Sequence, residues 1–142
     1  MSQRFNVWAP RHRYAEMSER AAELLEMVGL DRHRDRLAMN LAHGEQRALE
    51  IALALACDPM VLLLDEPTAG MSPEETTAMM DLITRLAAER TVILVEHKMK
   101  LVMGISSRLI VLHHGELLAE GTPDDVRAND EVRRVYLGQG SH

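Results

Sequence analysis

The chain has 142 residues, 46% of them hydrophobic but only 3% aromatic, so the core of a single domain has to be assembled from Leu, Ile, Val, Met and Ala. A formal net charge of −6 argues against nonspecific nucleic-acid binding, which draws on a basic surface. Cys57 is the single cysteine, which rules out an internal disulfide and fits a reducing, cytoplasmic location; the N-terminus has no apolar run of signal-peptide length, and no stretch approaches the roughly 20 apolar residues that cross a bilayer.

In chain order, the first nine residues give no clear signal and Pro10 punctuates them. From about Tyr14, apolar residues recur at helical spacing (Met17, Ala21, Leu24, Leu25, Val28), and Gly29 predicts the stop. Asp31–Arg36 is charged and reads as an exposed turn. A second helix is predicted over about Glu45–Ala56, with Leu49, Ala52, Leu53 and Ala56 on one face, broken by Asp58–Pro59. Met60–Leu64 is a continuous apolar run, the pattern of a strand covered on both faces. Ser72, Pro73 and Glu75 spell a capping box that opens a helix burying Met79, Leu82, Ile83 and Leu86. Thr91–Val95 reads as a second buried parallel strand, followed by a short helix near Met99–Ile105. LIVLHHGELLAE predicts a hairpin turning at His114–Gly115. Thr122–Asp125 caps a further helix and Asp130 a last one ending near Gly138, with Gln139–His142 a loose tail. Strands alternating with helices imply an α/β sheet. There is no internal repeat.

The stretch VLLLDEPTAG (Val61–Gly70) raises the functional question, because its apolar run ends in two adjacent acids. In open parallel sheets ligands bind beyond the carboxyl ends of the strands. An acid placed there can hold Mg²⁺, which takes oxygen ligands, and its neighbour, on the other face of the strand, can orient or deprotonate a water. In isolation the pair reads more readily as a solvated strand cap.

The context decides between them. LAHGEQ stands upstream and ILVEH downstream, and the three elements in this order resemble the ATP-binding-cassette (ABC) ATPases. LAHGEQ resembles that family's signature motif, VLLLDE its Walker B strand, TAGMS its D-loop, and His97 its switch histidine. EHKMKLVMGISSRLIVLHHGELLAEGTPDDV and the closing VYLG resemble the subgroup serving branched-chain amino acid importers, as does a bulky residue, His43, before Gly44.

The resemblance implies a P-loop NTPase-like parallel sheet with flanking helices, incomplete, followed by a C-terminal hairpin and helices. It places the end of a helical subdomain in about 1–56 and part of the catalytic core in about 57–142. Asp65 would hold the magnesium ion and Glu66 would act as general base toward the γ-phosphate, with His97 closing the site. Leu41, Ala42, His43, Gly44, Glu45 and Gln46 would contact ATP held by the partner subunit of a head-to-tail dimer, at a helix N-terminus suited to phosphate. Ala42 stands in place of the usual serine and removes a hydrogen bond worth about 1.5–3 kcal/mol. Glu45 replaces the usual glutamine. Ser72 lies in the D-loop where the family often has aspartate, although its capping role alone explains it. The implied cofactors are ATP and Mg²⁺. The implied partners are a second ATPase subunit, membrane permeases and, indirectly, a substrate-binding protein, with no nucleic acid; the implied place is the inner face of the cell membrane. His12, His33, His113, His114 and His142 read as surface residues.

The sequence contains no phosphate loop of the form G-x-x-x-x-G-K-[ST] and no G-K dipeptide. The resemblance therefore covers only the C-terminal part of the family's domain, and the chain by itself is expected not to hydrolyse ATP. In the family's sheet the phosphate-loop strand lies between those matching Thr91–Val95 and Leu109–His113, so exposed edges and association are expected. Three readings follow: part of an importer ATPase, a non-catalytic half-cassette that binds a complete ATPase or a permease, or a product without activity.

Overall fold

A computed structural model describes residues 11–137, and side chains from 14 to 136. The expected ends of the chain, including Pro10, His142 and the loose tail, lie outside the described residues, as does the side chain of His12. The chain divides into two compact units, one formed by residues up to 62 together with 68–91, the other by 63–67 with the residues from 92 onward.

In the first unit, α1 (Arg11–Met27) ends at Gly29, where the Gly29 N–H donates to the Glu26 carbonyl and the Leu30 N–H to that of Leu25, a Schellman closure. The expected apolar stripe is buried only at its C-terminal end: Leu24 and Val28 are covered, whereas Tyr14 and Met17 stay exposed. Two 3-10 turns (Asp31–His33, Ala38–Asn40) lead to α2 (His43–Leu55). The face that α2 buries is Ala48, Ile51, Ala52 and Leu55; Leu53 and Ala56, expected inside, are exposed. From Ala48 to Leu55 every residue but Glu50 is apolar, so two stripes satisfy the same period, and the small side chains Ala48 and Ala52 allow the closer approach. The Ser72 box opens α3 (Pro73–Ala87), which buries Met79, Leu82, Ile83 and Leu86 as expected, and Met80 besides.

β1 (Val61–Asp65) and β2 (Thr91–Val95) form a two-stranded sheet. The Thr91 N–H donates to the Met60 carbonyl and the Glu66 N–H to that of Val95, a parallel register that sets Leu63 beside Ile93 and Asp65 beside Val95. The expectation that these strands are covered on both faces is corrected. Leu62 and Leu64 are buried, but Val61, Leu63, Ile93 and Val95 are exposed. The apolar runs belong to strands built for two-sided cover, and the described residues supply one side.

In the second unit, α4 (Met99–Ile105) and the antiparallel hairpin β3 (Leu109–His113) with β4 (Glu116–Gly121) fall where expected. The turn has positive φ at both central residues, His114 (50°) and Gly115 (82°), which matches the twist of the flanking strands. A bulge interrupts the ladder between Val111 and Leu112. Leu109, Val111 and Val102 pack with Val126 of α5 (Pro123–Ala128) and Val132 of α6 (Asp130–Val132). Asn129, not Asp130, caps α6, its Oδ1 accepting from the N–H groups of Glu131 and Val132. A π turn, Arg133–Leu137, follows. β2 is not hydrogen-bonded to β3: the strands form two separate pairs among the described residues.

Candidate functional site

β1 delivers Asp65 as its last residue, exposed, and Glu66 immediately beyond it. Glu66 has φ of 43°. Pro67 disfavours the right-handed helical region at the residue before it, and a left-handed conformation at a non-glycine residue costs ~1–2 kcal/mol. This strained bend turns the chain sharply at the strand end. There the His97 Nδ1–H, in the loop after β2, donates to Glu66 Oε1 at 3.2 Å. Since the ionised carboxylate only accepts, the proton sits on Nδ1, and in the neutral imidazole Nε2 is left as an acceptor. Glu96 also stands near the ring, with Oε2 3.9 Å from the same nitrogen and its side chain buried. Sequence reading did not single out Glu96; its place beside the histidine was the available signal.

Among the described residues no group of three or more His, Cys, Asp or Glu side chains is arranged to hold a metal ion. Asp65 alone still fits Mg²⁺, which commonly binds through one or two carboxylates and completes its shell with water and phosphate oxygens.

The first unit builds a second cluster where α2 and α3 begin. Ala42 caps α2 with no side-chain oxygen, so only half a capping box forms: Glu45 Oε2 accepts from the Ala42 N–H at 2.8 Å. Glu45 Oε1 lies 3.2 Å from His33 Nε2, so the acid standing for glutamine is engaged within the chain. Gln46 Nε2 donates to the Leu41 carbonyl at 3.1 Å. His43 Nε2–H donates to the Ala69 carbonyl at 3.1 Å, giving the bulky residue before Gly44 a local role. At the start of α3, Ser72 Oγ accepts from the Glu75 N–H (3.2 Å) and Glu75 Oε2 from the Ser72 N–H (2.9 Å). The other oxygen, Glu75 Oε1, accepts from the Gly44 N–H at 3.1 Å. These bonds, Ser72 first and Gly44 next, hold the Glu75 carboxyl below the usual glutamate range, with a smaller contribution from His43. Spacing gave the capping box but not the bond to Gly44, which joins residues far apart in sequence.

The second unit thus brings together Asp65, Glu66 and His97, and the first brings Leu41–Gln46 to Ser72 through Glu75 and His43. Parallel strands that end in carboxylates and pass into helices define part of an α/β nucleotide-binding domain of the cassette class. The family model described as ABC transporter matches residues 1–69, and that described as branched-chain amino acid ATP-binding cassette transporter matches residues 116–142. The chain belongs to the ABC transporter ATP-binding family. It is 48% identical over 131 residues to the high-affinity branched-chain amino acid transport ATP-binding protein LivG of Salmonella typhimurium, covering 91% of this chain and 51% of that protein. It is 45% identical over 137 residues to the corresponding protein BraF of Pseudomonas aeruginosa, covering 95% and 54%. The ADP conformation of MJ1267, an ATP-binding cassette of an ABC transporter, superimposes with a TM-score of 0.78 at 29% identity, over 95% of this chain and 54% of that one. The chain spans about half the length of the curated relatives it matches.

Proposed function

We propose that this chain is part of the ATP-hydrolysing subunit of a transporter that takes up branched-chain amino acids. The observation that carries the reading is the strand-end arrangement: Glu66, in a strained left-handed bend beside Asp65, with its carboxylate 3.2 Å from His97 Nδ1. The names of the relatives as branched-chain amino acid transport ATP-binding proteins support the substrate class.

In this reading Asp65 would hold the magnesium ion that accompanies ATP, and that ion would supply positive charge against the phosphates. Glu66 orients the attacking water and accepts its proton, and His97 holds Glu66 in place and closes the site. In phosphoryl transfer such positioning and charge stabilisation dominate over covalent chemistry. Leu41–Gln46 and Ser72 face the nucleotide of a second ATPase subunit. Permease subunits hold the assembly at the inner face of the membrane, with a substrate-binding protein beyond them. No helix among the described residues is long and apolar enough to cross a membrane.

The alternative is a non-catalytic half-cassette on a complete ATPase or permease.

The test is ATP turnover by the chain alone and by the chain combined with the phosphate-loop-bearing half of a relative. The chain alone gives none. The combination turns over ATP, and Glu66→Gln lowers the rate by at least about 10²-fold, the lower range for loss of a general base. A stable combination that stays inactive favours the half-cassette. Turnover indifferent to Glu66→Gln overturns the catalytic assignment.

A further inference from the structure

Glu75 makes a contact that capping does not require. As the third residue of α3 it closes the box on the Ser72 N–H through Oε2, and through Oε1 it takes the Gly44 N–H of α2. The chain contains its own control. At α5 the same box is closed by Asp125, one methylene shorter, which accepts from the Thr122 N–H at 2.9 Å and from the Thr122 hydroxyl at 2.6 Å. A box therefore forms with the shorter acid, and the additional reach of glutamate at position 75 serves the second helix. Position 44 is matched to it: a Cβ there would stand 2.8 Å from Glu75 Oε1 and 3.2 Å from both Cβ and Cδ of Glu75, so only glycine admits the carboxylate without displacing it. His43 ties the same two loops at the Ala69 carbonyl.

We propose that Glu75 is a positioning residue whose carboxylate holds the start of α2, residues 41–46, and the loop 68–72 as one body, so that the signature and the D-loop meet a partner's nucleotide in fixed relative geometry. The functional half of this inference rests on the proposed roles of those loops; the bridge itself does not. An ionised carboxylate accepts both N–H groups at once, whereas protonation turns one oxygen into a donor facing an N–H. The bridge is thus present above the pKa of Glu75 and lost as pH falls through it. The titratable group that faces Glu75 from α2 is His43, which as a cation favours the ionised carboxylate. Glu45, the other acid at the start of α2, is taken up by His33 and the Ala42 N–H, and Glu74 neighbours Glu75 on its own helix.

The experiment is a pH series of ¹⁵N–¹H spectra of the full chain. In the wild type the Gly44 and Ser72 amide resonances move together, with one midpoint below the usual glutamate range. In Glu75→Gln both become flat. In Glu75→Asp, which keeps the box as Asp125 does, Ser72 still titrates, Gly44 does not, and signals from 41–46 show increased motion. A merely structural cap leaves Gly44 independent of Ser72 in the wild type, and that result overturns the inference. A Gly44 resonance that titrates in Glu75→Asp as in the wild type overturns it too. Nucleotide is absent from this experiment, so failure of the catalytic reading shows in the turnover assay and failure of the bridge shows here.

Discussion

The corner where α2 and α3 begin and the strand ends that carry Asp65, Glu66 and His97 are built in contrasting ways. At the corner, the polar groups at the two helix starts meet partners from this chain: Ala42 with Glu45, Gly44 and Ser72 with Glu75, His43 with Ala69. At the strand ends Asp65 is exposed, and the Glu66–His97 contact is open to solvent, with side chains 50% and 64% accessible. An exposed pair of that kind contributes about 0–1 kcal/mol. It does not hold the fold, and the bend at Glu66 opposes it. The corner is finished by folding, whereas the strand ends carry groups arranged for something outside the described residues. The strand faces repeat the contrast, since Leu62 and Leu64 are buried while Leu63 and Ile93 stand 66% and 50% exposed.

The largest effect that sharpens this contrast is on association. Leu63 and Ile93 are neighbours on the bare face, and covering each stabilises contact by about 1.5–3 kcal/mol. Replacing them by an opposite-charge pair, Leu63→Lys with Ile93→Glu, avoids like charges across the strands. It should weaken self-association by more than about tenfold in sedimentation velocity while the unfolding free energy changes by less than about 0.5 kcal/mol. Unchanged sedimentation would break the comparison from the strand side.

A smaller effect is expected at the corner. Ser72→Ala removes the oxygen that accepts the Glu75 N–H and should destabilise the chain by about 1 kcal/mol in denaturant titration. Acid should act in the same direction. The Glu75 carboxyl is held low by Ser72 and Gly44, and that of Asp125 by the hydroxyl and N–H of Thr122. Groups with depressed folded-state values contribute stability that is complete above the unfolded-state values and is lost as pH falls through the folded ones, here below about pH 4. A stability that does not fall in that window contradicts the ionised boxes.

Much of this was legible in the sequence because the signals were local. The box Ser72-x-x-Glu75, the bounds of β2 and α4, and the turn at His114–Gly115 follow from spacing and residue type alone. The buried face of α2 was misread because its C-terminal part, apolar from Ala48 to Leu55 except at Glu50, satisfies two stripes. The strand runs were read as covered on both faces because composition records what a strand is suited to, not what stands against it. Asn129 outcompeted Asp130 as the cap because its amide oxygen reaches two N–H groups at once. Glu75 with Gly44 and His33 with Glu45 were invisible, since nothing local ties residues that only the tertiary fold brings together. Within the site, Glu66 and His97 were expected near one another from motif order, but the left-handed bend that orients Glu66 was not.

The most direct measurement of the central claim is paramagnetic broadening by Mn²⁺, standing in for magnesium, in the ATP-loaded combination of this chain with a phosphate-loop-bearing half. The account predicts that broadening in this chain centres on Asp65, Glu66 and His97 and is lost in Asp65→Asn. Broadening centred elsewhere, or unchanged by Asp65→Asn, would contradict it.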